Sequence, residues 1–168
     1  MRVYFILLIF VLGILFACQQ KEEVCVVENE VSIPKEAIPV DEYDSTYAAR
    51  LGADDYGMKS YVMAFLKAGP NRDRDSAASA DLQRAHLDNI HRLAEEGKLV
   101  LAGPFLHDGE LRGIYVFDVE TVEEAEELTD SDPAIQAGSL VMELIPWYGS
   151  AALMEVNGIH ARIQKTSF

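Results

Sequence analysis

The stretch that decides the fold is "KLVLAGPFLHDGELRGIYVFDV", residues 98 to 119. Two runs rich in β-branched and aromatic residues flank "LHDGE", whose Asp-Gly pair is a tight-turn signal, so the stretch reads as an antiparallel hairpin. Upstream, "KSYVMAFLK" (59 to 67) reads as a strand and "AGPNRDRDSAAS" (68 to 79) as a polar loop. Residues 80 to 96 then read as a helix that Gly97 stops. Downstream, "TVEE" (121 to 124) matches a capping box that opens a second helix, with Val122, Ala125 and Leu128 on one face. A fourth strand follows at "SLVMELIPW" (139 to 147). The order is βαββαβ. It predicts an α+β, ferredoxin-like split βαβ fold, with both helices on one face of a four-stranded antiparallel sheet.

The strands also speak to assembly. In "YVMAFL" and "IYVF" both alternating sets of residues are apolar, whereas a sheet with one solvated face should alternate apolar with polar. Both faces are therefore expected to be covered, and two helices cover one. A second copy of the sheet is the natural lid for the other, which predicts a homodimer with a face-to-face β core. The rival lid is the C-terminal region 151 to 168, where "SAALMEVNGIHARI" reads as an amphipathic helix despite Gly158.

Two histidines stand on the first helix, five residues apart. At about 100° per residue, Leu82, Ile90 and Leu93 lie within roughly 40° of His86, while His91 falls some 140° away among charged residues. His86 is expected to face inward and His91 to face water. The pair lacks the four-residue spacing of a one-face metal site, and His107 and His160 bring no convergent ligands, so no metal or other cofactor is expected. A buried imidazole needs a polar partner. The best candidate is Asp132 in "SDPAIQAG", which also reads as the N-cap of a short helix with Pro133 in its first position. The two roles are compatible, because a carboxylate can cap with one oxygen and orient an imidazole with the other.

The N-terminal segment carries an expectation of location. Arg2 precedes "VYFILLIFVLGILFA", an uncharged run too short for an ordinary membrane span but suited to a secretory signal over residues 1 to 17. "LFAC" (15 to 18) resembles the bacterial lipobox, which makes Cys18 the lipidation candidate and places the protein in the bacterial cell envelope, lipid-anchored to a membrane. Phe16 stands where that pattern prefers a smaller residue, so ordinary cleavage or an uncleaved anchor stays open. Residues 18 to 45, acidic and aperiodic, read as a flexible tether, and 46 to 57 as a short helical lead-in to a domain at 58 to 150. Cys25 would then be the only remaining thiol, a linker residue rather than part of a disulfide framework. A formal charge of −14, on 28 acidic and 14 basic residues, argues against a nucleic-acid partner.

Three pieces together, "AHLDNIHRLAEEGKLVLAGPF", "RGIYVFDV" and "DPAIQAG" before a last strand, resemble the YCII-related family. The resemblance implies a dimeric α/β-barrel of ferredoxin-like subunits and a His-Asp pair that maps onto His86 and Asp132. The lipobox and acidic tether depart from the family's usual short intracellular members. Chemically, such a pair suits general acid–base work. The carboxylate would fix the imidazole tautomer and leave the other ring nitrogen to abstract or deliver a proton. GxSxG, SxxK, P-loop and GxGxxG motifs are absent from the sequence, which points away from familiar covalent hydrolysis, NTP use and nicotinamide binding. What remains is cofactor-independent isomerisation, elimination or hydrolysis of a small molecule, with Arg112 as a candidate for binding an anionic substrate. The alternative is a non-catalytic small-ligand binder or dimeric envelope scaffold in which His86 and Asp132 form a structural hydrogen bond.

Overall fold

A computed structural model of the protein describes residues 43 to 166. The signal segment, Cys18, Cys25 and most of the acidic tether lie outside the described residues. The chain forms α1 (Ser45–Leu51), β1 (Met58–Ala68), α2 (Ser76–Glu95), β2 (Leu99–Pro104) and β3 (Leu111–Phe117). It continues through α3 (Val122–Asp130), α4 (Pro133–Gln136), β4 (Leu140–Ser150), a 3-10 turn (Ala151–Glu155) and α5 (Val156–Ile163). The strands make one antiparallel sheet in the order β2-β3-β1-β4, so the fold is the ferredoxin-like βαββαβ expected from the hairpin and its flanks.

Local chemistry sets the element ends. The Asp44 carboxylate accepts from the Tyr47 amide and Gly52 closes α1 in the left-handed conformation. Thr121 and Glu124 form the reciprocal capping box of α3. α2 begins at Ser76, several residues before the start read from the sequence, because Asp75 caps the Ala78 amide at 2.8 Å and the small residues behind it are good helix formers. β4 runs through Pro146 to Ser150. It tolerates the proline because it is an edge strand.

The helix-side face of the sheet carries Val62, Ala64, Leu66, Tyr115 and Phe117, packed against Leu93 of α2 and Ala125 of α3. On the opposite face, Tyr61, Val100 and Val116 are buried under Leu153 and Met154 of the 3-10 turn. Cover from the described residues stops there. Farther along that face Val141 is 44% exposed and Ile145 41%, beside a shallow depression lined by Phe65 and Leu111 and by the charged Lys67, Glu110 and Glu143. The C-terminal region is thus a lid over one end of the second face, and its helix goes elsewhere. Asn157 of α5 donates from Nδ2 to the Leu99 carbonyl at 2.8 Å, which docks α5 along the edge strand β2.

Candidate active site

α2 presents its apolar stripe to the sheet, and His86 lies in that stripe, buried to 8% exposure. Facing it is Asp132, buried to 1%, at the break between α3 and α4. His86 Nδ1 lies 2.8 Å from Asp132 Oδ2 and 2.9 Å from Oδ1. Oδ1 also accepts from the Ala134 amide at 2.8 Å, which is the N-cap of α4, with Pro133 in the first helical position. One carboxylate thus holds both the helix start and the imidazole. A carboxylate only accepts, so it takes a proton-bearing Nδ1 and leaves the lone pair on Nε2.

The third member of the cluster is Tyr115 on β3, 3% exposed. Its hydroxyl lies 3.3 Å from His86 Nε2 and 3.5 Å from Asp132 Oδ2, and the two rings are near parallel with centroids 6.3 Å apart. Burial, reinforced by the Asp132 charge and hydrogen bond, pushes the phenol far above its ordinary range. Tyr115 is therefore a neutral hydrogen-bond donor with one proton, and both Asp132 Oδ2 and His86 Nε2 lie within its reach. The sequence reading does not single it out. The available signal was its place between Gly113 and Phe117 on the core face of a strand, where a buried tyrosine hydroxyl calls for a partner.

Behind the cluster a second layer steadies the α3–α4 break. Arg92 Nη2 donates to Asn89 Oδ1 at 2.8 Å and to Ser131 Oγ at 3.0 Å, and Ser131 donates to the Leu128 carbonyl at 2.6 Å. On the other side, Arg74 Nη2 donates to the Ala137 carbonyl at 2.7 Å. Gly69 and Asn71 donate their amides to Ser139 and Gly138 at 2.9 Å each. A Cβ at Gly69 would collide with the Gly138 carbonyl, so this close backbone approach needs glycine.

His86 and Tyr115 border a cleft of about 1110 Å³ between α2, β2, the start of β3 and α5. Arg112 lies on its wall, half-buried, with Nη1 donating to the Gly109 carbonyl at 3.2 Å. His91, expected to face water, is half-buried on the same wall. The helical projection placed it correctly off the core stripe. What that projection lacks is α5, which converts this side of α2 into a cleft wall. His160 of α5 also borders the cleft, whereas His107 sits in the exposed hairpin loop with its ring edge-on to Phe105. Among the described residues no group of three or more histidines, cysteines and carboxylates is placed to hold a metal ion, and no helix is long and apolar enough to cross a membrane.

Residues 61–148 match the family described as the YCII-related domain. No curated protein matches the chain in sequence. Among solved structures, the chain is similar to 5-chloro-2-hydroxyhydroquinone dehydrochlorinase from Burkholderia phenoliruptrix, in complex with 2,5-dihydroxybenzoquinone. The identity is 19% and the TM-score 0.40, over 51% of this chain and 92% of that one.

Proposed function

For a chain that belongs to the YCII-related domain family, we propose a small-molecule acid–base enzyme, an isomerase, lyase or hydrolase, that works through the His86–Asp132 pair. The observation that carries the reading is an imidazole held by a buried carboxylate at 2.8 Å and bordering a cleft of about 1110 Å³. Asp132 fixes the tautomer, His86 Nε2 removes or returns a proton, and the Tyr115 hydroxyl donates to whichever atom gains negative charge. The Tyr115 hydroxyl lies 3.3 Å from Nε2, so a substrate atom that reaches Nε2 meets the phenol donor beside it.

The proposal extends to setting. The protein is exported, lipid-anchored through Cys18 in a bacterial envelope, and dimeric through the second face of its sheet. Val141 and Ile145 on that face support the dimer, since apolar residues there gain cover from a second copy.

A second reading rests on the same cluster. Asp132 satisfies the α4 cap, and Tyr115 closes the polar group internally, as a structural hydrogen-bond network in a non-catalytic binder would require. Profiling the wild type, His86→Ala and His86→Gln against a library of small organic acids and phenols separates the two. The enzyme reading expects turnover by the wild type that both variants lose, with the fold intact. Absence of any turnover above the variants, together with a stability loss of about 1 to 3 kcal/mol in His86→Ala, establishes the structural reading instead.

A further inference from the structure

The cleft collects positive charge in a strongly acidic chain. Among the described residues, Arg50, Lys59, Lys67, Arg84 and Arg92 each lie within 3.1 Å of a carboxylate. The three arginines on the cleft wall do not, nor do Lys98, Arg162 and Lys165 away from it, so what distinguishes the three is that they share one wall. Arg72 Nη1 reaches only the Ser139 carbonyl at 3.4 Å, Arg74 donates to the carbonyls of Ala137 and Asn71, and Arg112 donates to that of Gly109. Glu95 is the one carboxylate on the wall among the described residues. With 28 acidic residues against 14 basic ones, three guanidiniums without a carboxylate partner around one cleft are a local reversal of the chain's charge.

Their positions converge. Arg112 immediately precedes Gly113, which pairs with Leu66 near the end of β1. Arg72 and Arg74 stand in the loop that leaves β1 and is clamped to Gly138 and Ser139, just ahead of β4. All three therefore belong to one end of the sheet. Tyr115 lies two residues along β3 from Gly113 on the same face, roughly 7 Å deeper. The same wall carries the apolar Leu66, Leu82, Ile90, Leu101 and Leu140, with Ser79 and Gln83 among its polar residues.

We propose that Arg72, Arg74 and Arg112 form a carboxylate-binding rim, and that the cleft takes a small organic monoanion whose apolar body runs from that rim toward His86. The planar guanidinium fork matches a carboxylate, and an apolar wall calls for a carbon skeleton rather than an inorganic ion. Arg74 also holds the α4 turn, so Arg72 and Arg112 carry the test. The proposal deepens the acid–base reading of the same cleft, but it is read by binding without turnover.

The probes are benzoate and benzamide, alike in shape and different in charge, titrated calorimetrically into the full-length protein in detergent at low salt. Benzoate is expected to bind at least about tenfold tighter than benzamide. Arg112→Gln should weaken benzoate about tenfold and the more exposed Arg72→Gln about threefold, with benzamide unchanged. Arg112→Lys, which keeps the charge but loses the fork, should recover part of the loss and serves if the glutamine variant does not fold. Equal binding of the two probes, no binding of either at millimolar concentration, or benzoate affinity indifferent to both glutamine variants would overturn the rim. Inorganic phosphate binding as tightly as benzoate would overturn the organic ligand. Benzoate binding that follows the arginines, in a protein whose reactivity survives His86→Ala, leaves the rim standing and removes only the acid–base reading.

Discussion

Replacing Asp132 by asparagine separates the two duties of its carboxylate. The α4 cap requires an oxygen where Oδ1 now accepts from the Ala134 amide at 2.8 Å. An asparagine is a good N-cap and will place its oxygen there. Its amide nitrogen then occupies the position of Oδ2, 2.8 Å from His86 Nδ1. That nitrogen can only donate, so it opposes a proton on Nδ1 and drives the ring proton toward Nε2, against the competing asparagine oxygen at the Oδ1 position, 2.9 Å from Nδ1 and already shared with the Ala134 amide. The cap thereby selects the amide orientation, and the amide selects the wrong imidazole tautomer. In energy the exchange is mild. A charge-assisted hydrogen bond becomes a neutral one, at a cost of about 1 kcal/mol, or roughly 3 to 5 °C in a domain of this size. Asp132→Ala removes the cap, worth about 1 kcal/mol, and also strands the His86 and Tyr115 groups, for a total of about 2 to 5 kcal/mol. Activity should reverse that ranking of mildness. Asp132→Asn should lose about 10²- to 10⁴-fold, because Nε2 no longer offers a lone pair. The tautomer is directly observable by ¹⁵N–¹H correlation of the imidazole ring, without a substrate. Wild type should show a protonated Nδ1 and Asp132→Asn a protonated Nε2. An unchanged tautomer in a folded Asp132→Asn protein would defeat the argument that cap and dyad share one carboxylate.

Tyr115 gives a pH prediction with a definite sign. Its folded pKa is raised by burial above the ordinary value of 10.0, so the unfolded state ionises first. Stability from this group is complete below pH 10 and declines above it by about 1.4 kcal/mol per pH unit. Tyr115→Phe should lose about 1 kcal/mol at neutral pH and unfold less steeply between pH 10 and 11. An alkaline profile identical to wild type in urea titrations would count against the burial of this hydroxyl. For assembly, Ile145→Glu adds an acid beside the Lys67–Glu143 ion pair on the exposed face and should convert a dimer to a monomer in sedimentation equilibrium. A wild type that sediments as a monomer at micromolar concentration would exclude the face-to-face pairing. For location, Cys18→Ser should move the protein from the membrane to the soluble fraction with its melting temperature unchanged. A mature N-terminus at any other residue, read by mass spectrometry, would rule out the lipid anchor.

The sequence by itself determined the fold, because its signals are local. An Asp-Gly turn between two apolar runs, a capping box and a glycine stop each act within a few residues, and their order leaves few topologies. It also placed His86 on the buried stripe and Asp132 at a helix cap, since periodicity and cap chemistry are properties of short windows. The contact between them spans 46 residues and depends on where α2 and the α3–α4 break meet, which only packing decides. Tyr115 and His91 show the same division. Strand alternation puts a tyrosine on the core face, but only the stacked position of α2 makes Nε2 its neighbour. Helical projection puts His91 off the core stripe, but only the docking of α5 through Asn157 turns that exposed side into a cleft wall. Of the arginine rim, the sequence offered Arg112 alone, and its grouping with Arg72 and Arg74 belongs to tertiary structure. Arg72 and Arg112 are distant in sequence and share one cleft wall because β1 ends where β3 and β4 begin, at one end of the sheet.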